Sequence, residues 1–587
     1  MQFLWEPALP AMRPGGLGHM DDVHTAAAFH SAQVTSQQQE KDRCMSRFNA
    51  THGGLLLTLS VACAHANAGP RIELGENTTL DSSLTVNYTA SMRTAKPAHQ
   101  YLNDINNDDG TRNFDRGALI TNRVSLFGEL LLKHDNLGAV LRGSHFYDDV
   151  YHNRNDNDSP DTVNKIGRAD GFTEDTRRLS GSKARLLDAY VYGNFDVAES
   201  QYLSIKAGRH LVAWGESLFW ANISQGQAPV DATKFNVPGT EAKDAYLPVG
   251  QVSASWSLNE DLALVGFYQY EWEKTQLNPV GDYFGSDTFG PGAEFFRLGA
   301  GVINSLPDDT FTAVTYAGDV EPRDSGQWGL GVRYRITENT EVGLFHYRYH
   351  ERVGALFFDF SGQTQYSSLS GVGRYASAGS GPVYRLGYFD DVELTGVSFS
   401  SKVGDSVQFA GDLSYRDGAA VYLDNGAPAR GQLWQGNLNG SYIIGPSFLA
   451  QQTTVMAEVV HQHIEGVDTL HITGGGPGVD GSFNNFESET QTRGQTLLGI
   501  GTYMDYLGIA DGLDLTTRLV WTQNVDGSAY QGLGRDEKRL TVGGDFKYLG
   551  NFQVGLTYVA YLSSPDIAQG RLLADRDYLS FNAKYTF

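Results

Sequence analysis

Residues 579–587 read Leu579-Ser580-Phe581-Asn582-Ala583-Lys584-Tyr585-Thr586-Phe587. Apolar and aromatic residues fill every second place, with polar or charged ones between them. Successive side chains of a strand point to opposite faces, so this segment is a strand with one apolar and one polar face. Its C-terminal phenylalanine is the kind of ending read by the bacterial outer-membrane barrel assembly machinery.

The same period runs upstream. Leu84, Val86, Tyr88, Ala90 and Met92 alternate with Thr85, Asn87, Thr89, Ser91 and Arg93. Trp328, Leu330, Val332 and Tyr334 alternate with Gln327, Gly329, Gly331, Arg333 and Arg335. Phe552, Val554, Leu556 and Tyr558 alternate with Gln553, Gly555 and Thr557. The runs are about 10–14 residues long, where soluble strands are nearer 5–6. Their apolar faces carry Tyr, Phe and Trp near the ends, as membrane-interface girdles do.

Eight tight connections rich in Gly, Asn and Asp separate these runs, among them His134 to Gly138, Leu258 to Asp261, Thr337 to Thr340 and Leu549 to Asn551. Such turns suit hairpins. Between them lie nine long polar connections, at roughly 94–117, 148–181, 213–245, 275–325, 352–389, 417–430, 464–490, 525–537 and 563–575. Strict alternation of the two kinds predicts an all-β chain, a single transmembrane antiparallel β-barrel of about eighteen strands. Short turns would face the periplasm and long loops the exterior. Closure removes the sheet edges that hydrocarbon does not tolerate.

Composition agrees. The 587 residues carry 44 Lys+Arg against 68 Asp+Glu, a net charge of -24, which argues against nucleic-acid binding. No run reaches the ~18 apolar residues of a membrane helix. Two cysteines, Cys44 and Cys63, cannot build a disulfide scaffold. Residues 1–44 have no sustained period and read as disordered or as a mis-assigned start. Residues 45–68 read as a signal peptide: Arg47, then an apolar run from Leu55 to Ala64, then the small-residue sites Ala64-His65-Ala66 and Ala66-Asn67-Ala68. Cys63 lacks the aliphatic residue three places before it that a lipid-modified cysteine expects. Residues 69–587 are then the barrel, placed in the bacterial outer membrane among its lipids and lipopolysaccharide.

Eighteen strands at ~4.8 Å spacing and ~40° tilt enclose a lumen about 36 Å across, too wide for side chains to fill. Arg93, Arg333, Arg335, His346, Arg348, Arg518 and Lys584 are the expected lumen wall. The 213–245 connection is too long and too apolar for a simple exposed loop. It is expected to fold into the lumen as a constriction or plug, with Trp214, Phe219, Trp220 and Phe235 as an apolar surface for solute and Asp231, Lys234 and Glu241 as its charges; the alternative is a loop packed by its own aromatics over the barrel mouth. No catalytic constellation, cofactor motif or metal site stands out. Asn103 to Gly110 fails the calcium-loop pattern, because its glycine falls one place late and no Glu follows at the twelfth position. His461-Gln462-His463 puts two imidazoles on one strand face without a readable third ligand.

One stretch is specific. Gly110-Thr111-Arg112-Asn113-Phe114-Asp115-Arg116-Gly117 is followed by Gly208-Arg209-His210, Trp214-Gly215-Glu216-Ser217, Pro229-Val230-Asp231 and Val237-Pro238-Gly239-Thr240-Glu241. Then come Tyr268-Gln269-Tyr270-Glu271-Trp272-Glu273-Lys274-Thr275 and Gly281-Asp282-Tyr283-Phe284. This run resembles a proteobacterial outer-membrane β-barrel family known as a domain of unknown function, number thirteen-oh-two. Gln225 to Ala228 departs from it, where the family more often has an apolar-Asn approach. The resemblance implies a barrel that works beside a periplasmic lipid-binding protein and an inner-membrane transporter. It implies a channel for hydrophobic or amphipathic solutes such as lipids, steroids or fatty acids, in uptake or export. The alternative is an outer-membrane enzyme or surface-attachment barrel whose long loops carry the activity.

Overall fold

The computed structural model describes residues 71–235, 237, 240, 245–299, 311–375, 382–530 and 532–587. The expected disordered segment and signal peptide, and Glu241, lie outside the described residues. The main sheet has 19 strands, of which Ile72–Gly75 pairs only with the strand that follows it. The other eighteen close into a barrel: β1 Thr78–Arg93, β2 Leu119–His134, β3 Leu137–Asp148, β4 Ser182–Ala198, β5 Gln201–His210, β6 Val249–Ser257, β7 Leu262–Gln269, β8 Gln327–Thr337 and β9 Thr340–Tyr349. The second half is β10 Val392–Val403, β11 Val407–Tyr422, β12 Pro428–Ile444, β13 Gln452–Val467, β14 Gly494–Ala510, β15 Leu513–Gly527, β16 Lys538–Tyr548, β17 Phe552–Tyr561 and β18 Tyr578–Thr586. Each strand pairs antiparallel with its neighbour in sequence. The seam joins β1 to β18, from Thr85 opposite Thr586 to Arg93 opposite Tyr578. Phe587 extends it, since its N–H donates to the Leu84 carbonyl at 2.8 Å.

Alternation sorts the two faces as the sequence predicts. Leu84, Tyr88 and Met92 of β1, Leu330, Val332 and Tyr334 of β8, and Trp434, Leu438 and Tyr442 of β12 are exposed on the outside. Asn87, Thr89 and Ser91, or Gln435, Asn437 and Asn439, face inward and are buried. A closed barrel with an apolar outer belt, short turns at one end and long loops at the other is an outer-membrane barrel. Among the described residues no helix is long and apolar enough to cross a membrane.

The expected long loop at 417–430 is mostly strand. β11 and β12 run on past the belt and meet in a turn of only 423–427. A bulge at Gly418, with φ of +83°, bends β11 there. The apolar residues near Phe295, ambiguous in sequence, add no barrel strand. They belong to a separate sheet of outer loops, in the order Ala355–Asp359, Val383–Gly387, Phe311–Val320, Phe295–Gly299.

The outer loops pack on one another with buried carboxylates between them. Asp108 pairs with Arg112 at 2.5 Å, and Asp109 accepts from the Asn164 N–H at 3.0 Å. Burial pushes the Asp108 carboxyl up to about 6, and Asp109 beside it adds to the shift, against the opposing pull of Arg112 and Thr162. The third carboxylate of the 103–110 stretch, Asp104, accepts from the Asn106 N–H at 2.9 Å. Among the described residues no group of three His, Cys, Asp or Glu is placed to hold a metal.

Two outcomes follow. Leu438 is 59% exposed and lies midway between the outward Trp434 and Tyr442. Leu438→Arg lowers the unfolding free energy in liposomes by about 2–4 kcal/mol, whereas the inward Ser441→Arg changes it far less. Asp108 holds its proton more tightly folded than unfolded. Its contribution is therefore largest in acid and declines as pH rises from ~4, the unfolded value, to about 6. Amide protection in 99–113, corrected for intrinsic rates, is higher at acid pH than at neutral pH, and Asp108→Asn reduces the difference, the rest coming from Asp109 and Asp287, which burial also raises.

Candidate functional site

β5 leaves the wall at His210 and the chain returns to it at Val249. In between it crosses the barrel. The crossing begins at Trp214, which is buried against inward-facing rings of β7 and β9: Phe267 at 5.0 Å and Phe345 at 5.1 Å between centroids. The Trp214 N–H donates to Gln227 Oε1 at 2.8 Å, tying the outgoing chain to the returning one. Gly215 has φ of +91°, and a Cβ there would stand 2.7 Å from Asp412 Oδ2, so only glycine allows this approach.

Beyond Gly215 the segment is bonded residue by residue to inward side chains of β11, β12 and β13. The Glu216 N–H donates to both oxygens of Asp412, at 2.9 and 3.0 Å. Glu458 accepts three N–H groups in succession: Leu218 at 2.9 Å, Phe219 at 2.6 Å and Trp220 at 3.0 Å. Carbonyls are met in the same way. Asn439 donates to Glu216 O at 2.7 Å, Asn437 to Trp220 O at 2.7 Å, Gln435 to Ala221 O at 3.0 Å and Arg416 to Asn222 O at 2.8 Å. The Tyr347 hydroxyl donates to Ile223 O at 2.6 Å. An irregular backbone enclosed in protein must find such partners, and charged acceptors bond N–H groups more strongly than neutral ones do.

Phe219 and Trp220 pack with Met456, Val460, Leu497, Val520 and Leu533. The Phe219 ring lies on Gly499 of β14, where a Cβ would come within 2.7 Å of it. β5 and β14 are nine strands apart in a ring of eighteen, so the segment reaches the far side of the lumen.

The return limb carries the expected charges. Asp231 is fully buried, 3.4 Å from Lys183 and 3.7 Å from Arg185 of β4, and accepts from Thr233 Oγ1 at 2.6 Å. Burial alone would raise its carboxyl. Lys183, Lys234, the Thr233 bond and Arg185 outweigh that, and the net shift is downward. Lys234, on the short helix Ala232–Phe235, donates to Ser144 of β3 at 2.9 Å. Phe235 is half-buried, edge-on to Tyr246.

The expected site residues therefore divide. Trp214, Phe219 and Trp220 do belong to a segment inside the lumen, but their rings are turned to the wall and hold the segment there; they do not form a free apolar surface. Arg93 faces inward yet is buried under the outer loops, where it pairs with Asp575 at 2.6 Å and donates to Thr111 O and Phe114 O. Arg333 and Arg335 face inward, the first over the Phe345 ring, the second paired with Asp261 at 3.0 Å. Arg518 faces inward, paired with Asp545, and Lys584 shares the inward face of β18.

His346 and Arg348 face outward. Phe345, Tyr347 and Tyr349 occupy the inward positions of β9, so the period of two turns their neighbours out. There His346 bonds Thr395 at 2.9 Å and Arg348 pairs with Glu393 at 2.6 Å, across from Trp328. His461 is outward too, bonded to Thr496 at 3.0 Å.

Glu458 and Asp412 are the anchors that sequence reading missed. The readable signal was polar side chains at inward positions of three consecutive strands: Asp412, Ser414 and Arg416; Gln435, Asn437 and Asn439; Glu458. Glu458→Ala orphans three donors at about 1–3 kcal/mol each, so amide exchange at Leu218, Phe219 and Trp220 accelerates by roughly tenfold or more. Glu458→Gln is intermediate. Unchanged exchange in both would mean that the aromatic contacts alone hold the segment.

Several solved outer-membrane structures are similar to the chain. OccAB1 of Acinetobacter baumannii is 10% identical, with 89% of this chain and 99% of that one covered at a TM-score of 0.41. A BenF-like porin from Pseudomonas fluorescens Pf-5 is 10% identical, with 88% and 99% covered and a TM-score of 0.39. The outer membrane channel DcaP of Acinetobacter baumannii is 11% identical, with 89% and 100% covered and a TM-score of 0.35. No curated protein matches the chain. The family model described as protein of unknown function (DUF1302) matches residues 49–587, nearly all of the sequence, and the chain belongs to that family.

Proposed function

We propose that this barrel is a transport channel of the outer membrane, and that its solutes are hydrophobic or amphipathic. The observation that carries the reading is the 211–248 segment. Its 214–223 part enters the lumen from β5 and is tied to β11–β13 by two carboxylates and a set of amides, which supports reading it as a fixed constriction in a wide barrel.

The amphipathic preference draws on the mixed character of the return limb. Half-buried Phe235 stands in sequence beside Lys234, with Asp231, Lys183 and Arg185 close by. Phe235, Lys183 and Arg185 each keep part of the side chain exposed, which offers a passing solute both aromatic surface and positive charge. The family resemblance points the same way, toward work beside a periplasmic lipid-binding protein and an inner-membrane transporter.

In planar bilayers, removal of 216–223 raises single-channel conductance at least about twofold if the segment narrows the path. In proteoliposomes, a fluorescent alkyl sulfonate enters faster than a disaccharide through the intact protein. A disaccharide that enters faster than the sulfonate would make this a sugar porin and end the amphipathic reading.

A further inference from the structure

At the outer end of the barrel, the longest stretch of strand left without a neighbouring strand among the described residues lies between β4 and β5. β4 and β5 pair from Ala198 opposite Gln201 up to Ala189 opposite Arg209. β5 then ends, but β4 continues for seven more residues, Ser182 to Asp188, paired only with β3. On the β5 side of this overhang no backbone hydrogen bond is made among the described residues. In hydrocarbon every backbone group needs a partner, so an open strand edge at belt level is a departure that calls for a reason. The overhang does reach the belt: Leu186 on it is exposed outward, with Tyr147 of β3 on one side and Val191 below.

Local geometry builds the break. β4 carries a bulge at its foot, where Leu187 and Asp188 together oppose Arg142. Gly208 of β5 has φ of +124°, and a Cβ there would stand 2.4 Å from the Ala189 carbonyl. The chain turns inward two residues later. The segment behind the break is the return limb: residues 229–231 lie between 245–247 and Gln276.

Side chains alone bridge the opening. Lys183 reaches Asp231 at 3.4 Å and Gln276 Oε1 at 3.3 Å. Glu273 pairs with Arg185 at 2.7 Å and with Arg209 at 2.8 Å, and Arg209 also meets Glu271. Arg185 Nη1, 3.7 Å from Asp231, and Arg209 Nε are buried without a hydrogen bond. Two guanidinium groups with spare donors match a carboxylate, sulfonate or phosphate head. Directly below, on the lipid face, lies an apolar groove of about 420 Å³. Ala139, Ala189 and Ala207 form its floor, with Leu130, Leu141 and Val191 among its sides. The groove adjoins the break, because Ala189 is the last β4 residue paired to β5.

We propose that the break between β4 and β5 is a side portal, through which an anionic amphiphile passes between the lumen and the outer leaflet, its head held by Arg185 and Arg209 and its tail in the groove below. The proposal rests on the amphipathic-channel reading and adds the route and the sign of the head group. The ion pairs close the portal in this structure, and it opens when they separate.

The test uses the full barrel in phosphatidylcholine–phosphatidylglycerol vesicles with a fluorescent alkyl sulfonate, whose permanent charge prevents it from crossing lipid unaided. K183C/Q276C is tethered with a short reducible bis-thiosulfonate. Tethering slows sulfonate transfer by about tenfold or more, reductant restores it, and potassium conductance in planar bilayers stays the same. Arg185→Gln with Arg209→Gln slows the sulfonate but not an alkyl trimethylammonium of equal length. Transfer indifferent to the tether overturns the portal. Conductance and transfer falling together also overturn it, because the only route is then the lumen. Wild-type transfer no faster than protein-free vesicles overturns the amphipathic-channel reading itself and the portal with it.

Discussion

A peptide group in hydrocarbon has no water to bond, and the layout of this chain follows from that. Closure of eighteen strands gives the N–H and C=O groups of the belt a neighbour except along the β4 overhang, and the seam from Thr85 to Phe587 completes the ring. The same requirement returns inside the lumen in another form. Residues 216–223 are not a strand and have no sheet to join. Side chains of the wall take the place of a neighbouring backbone, with Asp412 and Glu458 accepting where carbonyls would and Asn437, Gln435 and Arg416 donating where amides would.

Two kinds of force share the placement of that segment. Burial of Phe219 and Trp220 supplies the larger, undirected part, at about 1.5–3 kcal/mol for a side chain of this size. It would tolerate a shift along the wall. The carboxylates supply direction, because each bonds particular N–H groups from a fixed place. Gly215 and Gly499 complete the fit by leaving room where a methyl group would collide. Apolar contact thus sets how firmly the segment is held, and hydrogen bonding sets where.

Legibility in the sequence tracked whether a strand differs between its faces. β1, β12 and β18 have a polar inward face and an apolar outward one, and their orientation could be read directly. β9 does not. Its inward residues Phe345, Tyr347 and Tyr349 are aromatic because Trp214 and Ile223, more than a hundred residues earlier, lie against them. Charge then misdirected the reading, and His346 and Arg348 were expected on the wrong side. The aromatic character of 214–220 was legible, but not whether its rings faced solute or wall, since that depends on glycines and apolar residues of β13–β15. Glu458 looked like any other wall carboxylate, because its partners are backbone groups and carry no side-chain signature.

The anchors of the crossing segment are distant along the chain. Glu216 waits 196 residues for Asp412, and Phe219 waits 239 for Glu458. The return limb of the connection rests on the nearby β3 and β4, but its 216–222 part finds no partner in that half of the barrel. It can settle only when β11 to β13 have been added. The final pairing of β18 with β1 then encloses it, and a chain that closed with this connection left outside would have no route to bring it in. Whichever strands pair first, the interior must be furnished before the last wall goes up.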